Sequence, residues 1–262
     1  MLDIPDFKAK FGIDAYLPHR DGLLYKYFSI ERGIESVFKE AFYFATPPQL
    51  NDPFELSVDR ITFEMTDENI WSLLKRTLPN NPSEQQRIFE LSKQTRSNVP
   101  EVMRKQIQTM RDNCGICCFT SNPKNELMWA HYGQSDTGVV IGFNLPPFSP
   151  HMKDLFVMKV KYEKEKSFIN YFDKPYTLFP IWAYVKNDRW NYEEEIRAVS
   201  MSHHGLLRYS IESVKEIHYG MRTSEEMIGR MESVMALKKY HAYQRFKINT
   251  DSNSYEYQSQ TF

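Results

Sequence analysis

The sequence is poor in cysteine, and its cysteines lie close together. There are three among 262 residues, namely Cys114, Cys117 and Cys118. A disulfide framework needs cysteines spread along the chain, so this spacing excludes a disulfide-stapled secreted fold and favours a reducing compartment. The lone Cys-x-x-Cys pair also lacks a second pair of zinc ligands, and it enters an apolar strand rather than a helix start. We therefore interpret the cysteines as small buried side chains.

The sequence has no long apolar run and no excess of either charge. A membrane-spanning helix needs about 18 consecutive apolar residues, and no stretch of the sequence approaches that length. Lys and Arg number 33 against 34 Asp and Glu, so the net charge does not imply nucleic acid or an anionic membrane as a partner. The sequence begins without a basic segment followed by an apolar one. We expect a cytoplasmic protein, whose oligomeric state the sequence does not indicate.

Internal repeats and low-complexity segments are also absent, apart from a polar end. A length of 262 residues is ample for a real core. We predict one α+β domain over residues 1–249, with a helical insert at about residues 67–111. Residues 250–262 are predicted to be a polar tail, frayed from Thr250 to Gln260.

The chain opens with a predicted strand, helix and strand. The two strands cover residues 23–28 and 41–45, and Ser29 caps a helix between them whose apolar residues fall at helical spacing. Further strands are predicted at residues 54–63, 115–120, 139–143, 155–162, 214–220 and 240–248. Many strands with interspersed helices predict an α+β fold with mixed or antiparallel sheets.

One acidic stretch is the centre of the functional argument. Residues 190–199 alternate between apolar and charged, which predicts a strand with Glu193, Glu195 and Arg197 on one face. Carboxylates about 7 Å apart on one strand face repel each other, and Arg197 offsets part of that repulsion. The row is either a solvated edge ladder or the wall of a site.

Polar residues at predicted strand ends supply further candidates. Asn51 and Asp52 begin an Asn-Asp-Pro turn after a strand that we expect to be buried. His131 lies on a short helix with Trp129 and Tyr132, where a structural role is the alternative to a functional one. We expect Asn51, Asp52, His131 and Glu195 to converge.

Many of these segments match the motifs of one family. They are Leu24-Tyr25-Lys26-Tyr27, Phe42-Tyr43-Phe44-Ala45-Thr46-Pro47, Asn51-Asp52-Pro53-Phe54-Glu55, Cys118-Phe119-Thr120, Leu127-Met128-Trp129-Ala130-His131-Tyr132, Gly138 with Ile141-Gly142-Phe143, Trp190-x-Tyr192-Glu193-x-Glu195-x-Arg197 and Ile217-His218-Tyr219-Gly220. The chain resembles the DUF2971 family of prokaryotic proteins over most of residues 24–220. That family has no assigned function, so the resemblance implies no reaction.

A weaker resemblance, at the level of the fold, is to the ADP-ribosyltransferases. The strand–helix–strand opening and a late strand with a glutamate resemble that fold, which binds NAD in a cleft between two small sheets. The resemblance implies that Glu195 holds the ribose and stabilises its developing positive charge as nicotinamide leaves, while aromatic rings clamp the nicotinamide. It places Lys26 or Tyr25 at the first strand position and Tyr43 or Thr46 at the second. Arg197 would hold Glu195 ionised or pair with a phosphate.

Three functional hypotheses follow from these candidates. The first is an NAD-using ADP-ribosyltransferase-like enzyme of bacterial defence or toxin type. The second is a non-enzymatic module that binds a nucleotide or small molecule as a sensor, for example in phage defence. The third is a metal-dependent hydrolase or nuclease, with His131 as base and Asp52, Glu193 and Glu195 as ligands, although no established metal-binding motif is present.

Our candidate site follows the first hypothesis and predicts no resident metal. The candidate catalytic residues are Glu195, Glu193, Arg197 and His131. The residues expected to contact NAD, which would be a substrate, are Tyr25, Lys26, Tyr43, Thr46, Asn51, Asp52, Phe54, Trp129 and Tyr132.

Overall fold

The computed structural model describes residues 22–145, 155–172 and 182–261. Residues 1–21 of the predicted domain lie outside this description. The strands are β1 (Leu24–Phe28), β2 (Ala41–Phe44), β3 (Ile61–Thr62), β4 (Gly115–Thr120), β5 (Val139–Phe143), β6 (Leu155–Lys159), β7 (Lys161–Glu163), β8 (Ile169–Asn170), β9 (Val185–Asn187), β10 (Glu195–Ser200), β11 (Gly205–Arg208), β12 (Val214–Tyr219), β13 (Gln244–Thr250) and β14 (Tyr257–Thr261). The α-helices are α1 (Ile30–Lys39), α2 (Asp67–Thr77), α3 (Pro82–Thr95), α4 (Val99–Asn113), α5 (Glu126–His131) and α6 (Glu225–Leu237). Short 3₁₀ helices cover Pro47–Gln49, Val58–Arg60, Asp188–Glu193 and Ile211–Ser213.

An eight-stranded sheet in the order β14-β13-β12-β5-β1-β4-β10-β6 forms the centre of the fold. Its neighbouring strands are antiparallel, except that β12 and β13 run parallel. Three two-stranded sheets, β11-β2, β3-β8 and β7-β9, lie beside it. This arrangement confirms the predicted α+β class with mixed, mostly antiparallel pairing.

The large sheet is weakly joined between β1 and β4. β1 pairs with β5 along its whole length, from Leu24↔Phe143 to Phe28↔Val139, but with β4 only at Tyr25↔Thr120. Beyond that pair the strands part, and the Lys26 ammonium donates across the gap to the Cys118 carbonyl oxygen at 2.9 Å. We call this junction the seam, and it leaves room for a cavity at the middle of the sheet.

Helices α1 and α6 cover one face of the sheet. Ser29 caps α1 by accepting a hydrogen bond from the Arg32 amide at 3.3 Å, which satisfies one of the free N–H groups at the helix start. The apolar side of α1 buries Ile30 and Val37, which pack with Met231 of α6 in the largest core. Burying such a side chain contributes about 1.5–3 kcal/mol, so this layer holds the helices on the sheet.

The predicted helical insert is present, and it consists of α2, α3 and α4. It has its own small cluster, in which Ile70, Leu74 and Phe89 are buried. Trp71 stacks on Phe89 with ring centroids 4.4 Å apart. No helix of the described ranges is both long and apolar enough to cross a membrane.

Three sequence predictions about secondary structure were wrong in part. Residues 190–194 are not a strand, because Asn187 caps a 3₁₀ helix over Asp188–Glu193 and Glu194 is left-handed with φ 45°. The predicted strand at 54–63 is reduced to β3, since turns and the 3₁₀ helix Val58–Arg60 precede it. The tail is not frayed throughout, because β14 pairs antiparallel with β13 from Phe246↔Thr261 to Thr250↔Tyr257.

The close packing of α1 on the sheet predicts an asymmetry between two helical glycines. A Cβ at Gly33 would overlap Val139 Cγ1 and lie 3.4 Å from Met231 Cε, whereas a Cβ at Gly229 of α6 would meet nothing within 4 Å. Gly33→Ala is expected to destabilise the protein by about 1–3 kcal/mol through overpacking. Gly229→Ala is expected to stabilise it by about 0.5–1 kcal/mol through helix propensity. Urea unfolding measures both, and equal stabilities would contradict the described α1 contact.

Candidate functional site

Five charged side chains form a buried ionic cluster beside the seam. Its members are Glu55, Lys186, Glu193, Glu195 and Arg197, and each residue is at most 4% exposed. They come from the turn after β2, from β9, from the end of the 3₁₀ helix Asp188–Glu193 and from β10. Three carboxylates therefore face two cations in a region shielded from water.

Arg197 links two of the carboxylates. Its Nε donates to Glu195 Oε1 at 2.7 Å, and its Nη2 donates to Glu55 Oε2 at 2.5 Å and Glu195 Oε2 at 2.9 Å. Its Nη1 donates to the Ala183 carbonyl oxygen at 2.7 Å. The planar guanidinium therefore ties β10 to the turn after β2.

Lys186 contacts all three carboxylates of the cluster. Its Nζ lies 2.6 Å from Glu193 Oε2, 3.1 Å from Glu195 Oε2 and 3.0 Å from Glu55 Oε1. Its hydrogen bonds go to Glu193 and Glu195, whereas the contact with Glu55 Oε1 is an ion pair without a hydrogen bond. Together with Arg197, Lys186 balances two of the three carboxylate charges.

Burial of the row excludes the solvated edge ladder. All six residues of β10 are buried, and the strand lies between β4 and β6 rather than at an edge. The charged side of β10 is covered by Glu55 and Lys186, which contact Arg197 and Glu195 directly. The polar side and the apolar side of β10 therefore both face the interior of the protein.

Glu195 and Lys186 hold fixed charges rather than forming a proton-transfer pair, whereas burial raises the pKa of Glu55. Burial alone would raise the pKa of Glu195, but Arg197 and Lys186 outweigh it and hold that pKa well below its ordinary range. Burial would lower the pKa of Lys186, but Glu195 and Glu55 raise it. General acid–base catalysis works best with a pKa near the working pH, which neither group has.

A cavity of about 260 Å³ lies at the seam, and we call it the aromatic cavity. Rings from Tyr25, Tyr27, Phe119 and Tyr132 line it. The remaining lining residues are Lys26, Gln49, Leu50, Asn51, Cys118, Thr120, Met128, Lys186, Glu193 and Glu195. The cavity thus combines flat apolar walls with one charged side, which is the usual composition of a small-molecule site.

Glu193 and Glu195 differ in the hydrogen bonds they already accept. Glu195 accepts three hydrogen bonds, two from Arg197 and one from Lys186. Within the described ranges, Glu193 accepts only two, from Lys186 and from the Tyr132 hydroxyl, the latter at 2.6 Å. A carboxylate has about four acceptor positions, so Glu193 retains more capacity for a ligand than Glu195 does.

Tyr132 is held as a hydrogen-bond donor to Glu193. Burial and the neighbouring Glu193 carboxylate raise the pKa of Tyr132, which keeps its proton in place at neutral pH. The Asn51 amide donates to the Tyr132 hydroxyl oxygen. Asn51 and Tyr132 therefore form a neutral polar edge next to the open side of Glu193.

Tyr25 of β1 is held in place by contacts that do not involve the ionic cluster. Its hydroxyl donates to Glu216 Oε2 at 2.8 Å, and His218 Nε2 lies 2.9 Å from the same oxygen. A Cβ at Gly142 would approach Tyr25 Cε1 to 2.8 Å, so glycine allows the ring to lie close to β5. The aromatic wall is therefore positioned before any ligand arrives.

The structure brings together about half of the predicted site residues. Tyr25, Lys26, Asn51, Tyr132, Glu193 and Glu195 line the aromatic cavity, and Arg197 contacts Glu195 from behind. The expected convergence therefore includes Asn51 and Glu195. Asp52 and Phe54 line a separate cavity instead.

The other predicted residues have different environments. Trp129 is fully buried and donates its indole N–H to the Pro123 carbonyl oxygen at 2.8 Å. His131 is exposed, with Nδ1 3.1 Å from the Tyr192 hydroxyl. The Tyr43 and Thr46 hydroxyls contact Gln49, and neither residue lines the aromatic cavity. Trp129 is thus a core residue, and the predicted contribution of His131 to a common site is not seen.

Sequence reasoning missed two members of the ionic cluster. Glu55 ends the Asn-Asp-Pro-Phe-Glu motif, but a pattern that suggested an exposed turn gave no reason to pair it with Arg197. Lys186 has no motif around it, and only its position on β9 brings it to the carboxylates. A search for basic residues that could balance the acidic row would have been the one available signal.

The metal and cysteine predictions can be compared with the described side chains. In residues 22–145, 155–172 and 182–261, no three His, Cys, Asp or Glu side chains are grouped to hold a metal ion. The ligand set Asp52, Glu193 and Glu195 of the hydrolase hypothesis does not form, because Lys186 binds the two glutamates. The three cysteines are free thiols, and burial raises the pKa of Cys114 to about 12.

Comparison with known protein families gives one match. The family described as protein of unknown function, DUF2971, matches residues 128–198. This match supports the predicted resemblance to DUF2971 over that segment of the chain. The DUF2971 match runs from α5 to β10, so it includes Tyr132, Lys186 and the three charged residues of the acidic row. No curated protein and no solved structure matches the chain, and the ADP-ribosyltransferase fold, the role in phage defence and the cytoplasmic location stay predictions.

The ionic cluster predicts a strong dependence of stability on Arg197. Arg197→Met leaves Glu55 and Glu195 buried with Lys186 as their remaining cation, and breaking a buried pair in this way costs about 3–5 kcal/mol. Arg87→Met is the matched control, because Arg87 pairs with Glu84 on an exposed helix surface. Calorimetry should show a large loss for Arg197→Met and no measurable change for the control. Equal behaviour of the two variants would mean that the cluster does not support the fold.

The lowered pKa of Glu195 predicts how the free energy of unfolding depends on pH. Its folded pKa lies below the ordinary value of 4.5, so its ionic contacts contribute fully above that pH and are lost as the pH falls through the folded pKa. The difference in unfolding free energy between wild type and Glu195→Gln should therefore shrink between pH 7 and about pH 3. Glu256→Gln, at an exposed position in the turn between β13 and β14, is the control and should show no such trend. A constant difference for Glu195→Gln would contradict the depressed pKa.

Proposed function

We propose that the aromatic cavity binds a nucleoside-containing ligand, with NAD as the first candidate. One observation carries this proposal: Glu193 has unused acceptor capacity at the side of a cavity whose other walls are aromatic. A nucleoside offers both complementary features, a flat ring and neighbouring hydroxyl donors. The function supported best is therefore binding of this ligand.

The aromatic walls suit a flat ring. Tyr25 and Tyr27 come from β1 and Tyr132 follows α5, so rings from different elements line the cavity. Aromatic side chains favour offset-stacked or edge-to-face contacts with another ring. Tyr25 and Tyr27 have their hydroxyls bound to Glu216 and to the Asn122 carbonyl oxygen, which limits their movement and reduces the entropy lost on binding.

The carboxylate of Glu193 suits the ribose. Hydrogen bonds to an ionised acceptor are about twice as strong as neutral ones, and two adjacent hydroxyls can share one carboxylate. Glu195 has less of this capacity because Arg197 and Lys186 already take three of its acceptor positions. We therefore assign the ribose contact to Glu193 rather than to Glu195.

The size of the cavity sets which part of the ligand is enclosed. Its volume of about 260 Å³ is slightly below the ~300–1,000 Å³ of sites for drug-sized ligands. One nucleoside unit is of that scale, whereas a dinucleotide exceeds it. In NAD, one ribosyl unit would enter and the pyrophosphate would remain at the mouth.

ADP-ribosyl transfer is a second candidate function, and the seam is the observation that favours it. The sheet separates between β1 and β4, and the cavity lies where the two parts meet. The ADP-ribosyltransferases, which the sequence resembles in its strand–helix–strand opening and its late strand with a glutamate, bind NAD between two small sheets. In this version, Glu193 would stabilise positive charge on the ribose as the bond to nicotinamide breaks and nicotinamide leaves with the bonding electrons.

Two adjacent glutamates provide a matched test of binding. Glu193→Gln removes the charge that faces the cavity, while Glu194→Gln removes an exposed charge whose oxygen accepts from Asn122 at 3.0 Å. Calorimetric titration with NAD, adenosine and nicotinamide riboside should show binding by wild type and Glu194→Gln. Affinity should fall about tenfold or more for Glu193→Gln, as expected for losing a charged hydrogen bond.

The results distinguish binding from transfer. No binding of any of the three ligands to wild type would refute the proposed function. Binding without release of nicotinamide from NAD, measured by chromatography, would establish a binding module and exclude transfer to water. Release by wild type and Glu194→Gln but not by Glu193→Gln would support the transferase.

A further inference from the structure

A second cavity lies on the other side of Lys186. It has a volume of about 250 Å³, and we call it the Arg60 cavity. Lys186 lines both this cavity and the aromatic cavity, and Glu55 of the ionic cluster also lines the Arg60 cavity. The buried ionic cluster therefore separates two cavities, of which the proposed function uses one.

Arg60 is the buried charge that faces this second cavity. It ends the 3₁₀ helix Val58–Arg60 and is 5% exposed. Its Nε donates to the Ser167 carbonyl oxygen at 3.0 Å and its Nη2 donates to Ser167 Oγ at 2.7 Å. Within the described ranges its Nη1 has no hydrogen-bond partner, so part of a buried guanidinium is open to a ligand.

The nearest carboxylate does not fully satisfy Arg60. Glu163 Oε2 lies 3.4 Å from Arg60 Nη2, at the outer limit of a useful hydrogen bond. Glu163 is shared with Lys161 at 3.0 Å and with the Ser167 hydroxyl at 2.6 Å. Burial lowers the pKa of Arg60 more than Glu163 raises it, which is the sign of an incompletely compensated cation.

Some of the other charged side chains that line the Arg60 cavity are ion-paired, and others are not. Glu55 and Lys186 are paired within the ionic cluster. Lys164 and Lys166 are exposed and make no ion pair within the described ranges, while Asp52 and Glu165 are the acids without an ion pair there. Asp52 accepts from the Phe54 amide at 2.9 Å. The two lysines and the two acids balance in number, so the preference for a negatively charged ligand rests on the buried, partly open guanidinium of Arg60.

We propose that the Arg60 cavity binds the phosphate group of a small molecule. Arg60 Nη1 donates to one phosphate oxygen, and Lys164 and Lys166 approach the others from the rim. A phosphate has several strong acceptor oxygens and can engage a guanidinium and ammonium groups together. The cavity volume of about 250 Å³ suits a small phosphate compound, and the net charge of −1 does not indicate a nucleic acid as the ligand. This inference does not require that the aromatic cavity bind a nucleoside.

The test uses sodium pyrophosphate as the probe in calorimetric titrations of the full chain at low ionic strength. Wild type is expected to bind, with an affinity that falls as salt is added. Arg60→Gln should abolish binding. Lys164→Ala/Lys166→Ala should weaken it about tenfold, whereas Glu165→Gln should strengthen it by removing a repulsive charge at the same rim.

A second double variant controls for net charge. Lys75→Ala/Lys124→Ala removes the same number of charges from exposed positions that do not line the Arg60 cavity. Its affinity for pyrophosphate should match that of wild type. If Arg60→Gln fails to fold, as thermal melting would show, the lysine double variant and Glu165→Gln still decide the question.

Two results would overturn the proposal. One is the absence of pyrophosphate binding to wild type at low salt. The other is equal weakening in the two lysine double variants, which would mean non-specific attraction. If Glu193→Gln binds pyrophosphate with wild-type affinity, the site is separate from the aromatic cavity. If Glu193→Gln no longer binds pyrophosphate, that separation is contradicted. All of these outcomes can be interpreted even if the aromatic cavity binds no nucleoside.

Discussion

The ion pairs that Arg197 makes with Glu195 and Glu55 are the contacts on which the centre of this protein depends. They join β10 to a turn more than a hundred residues earlier in the chain. In a buried setting, each charge is costly without its partners, so the cluster must form as a unit. Lys186 completes it and places β9 against the same carboxylates. The walls of both cavities are therefore set by one group of charges.

This arrangement separates a structural role from a binding role among similar residues. Glu195 lies in the most acidic motif, yet its oxygens already accept from two cations. Glu193 lies two residues earlier at the end of a 3₁₀ helix and keeps acceptor capacity beside the aromatic rings. Arg60 has the same relation to the second cavity, since part of its guanidinium is engaged and part is open. The functional proposals rest on these unused positions.

Much of the fold could be predicted from the sequence, because local apolar patterns were strong. The runs that became β4 and β5 are almost entirely apolar, and the helix α1 has a clear cap and apolar stripe. The prediction failed at residues 190–194, where the cap by Asn187 and the left-handed Glu194 outweighed an alternating pattern. It also failed for the tail, because pairing of β14 with β13 supplies backbone hydrogen bonds that local polarity does not reveal.

By itself, the sequence determined the α+β class, the resemblance to DUF2971 and the candidate status of Tyr25, Asn51, Tyr132 and the acidic row. Those conclusions depend on local periodicity and on motifs, which adjacent residues carry. Only the tertiary structure decided that the row is buried, that Lys186 pairs with its two glutamates and Glu55 with its arginine, and that Glu193 is more open to a ligand than Glu195. The physical reason is that charge pairing and hydrogen-bond saturation depend on groups distant in sequence, which folding alone brings within a few ångströms of each other.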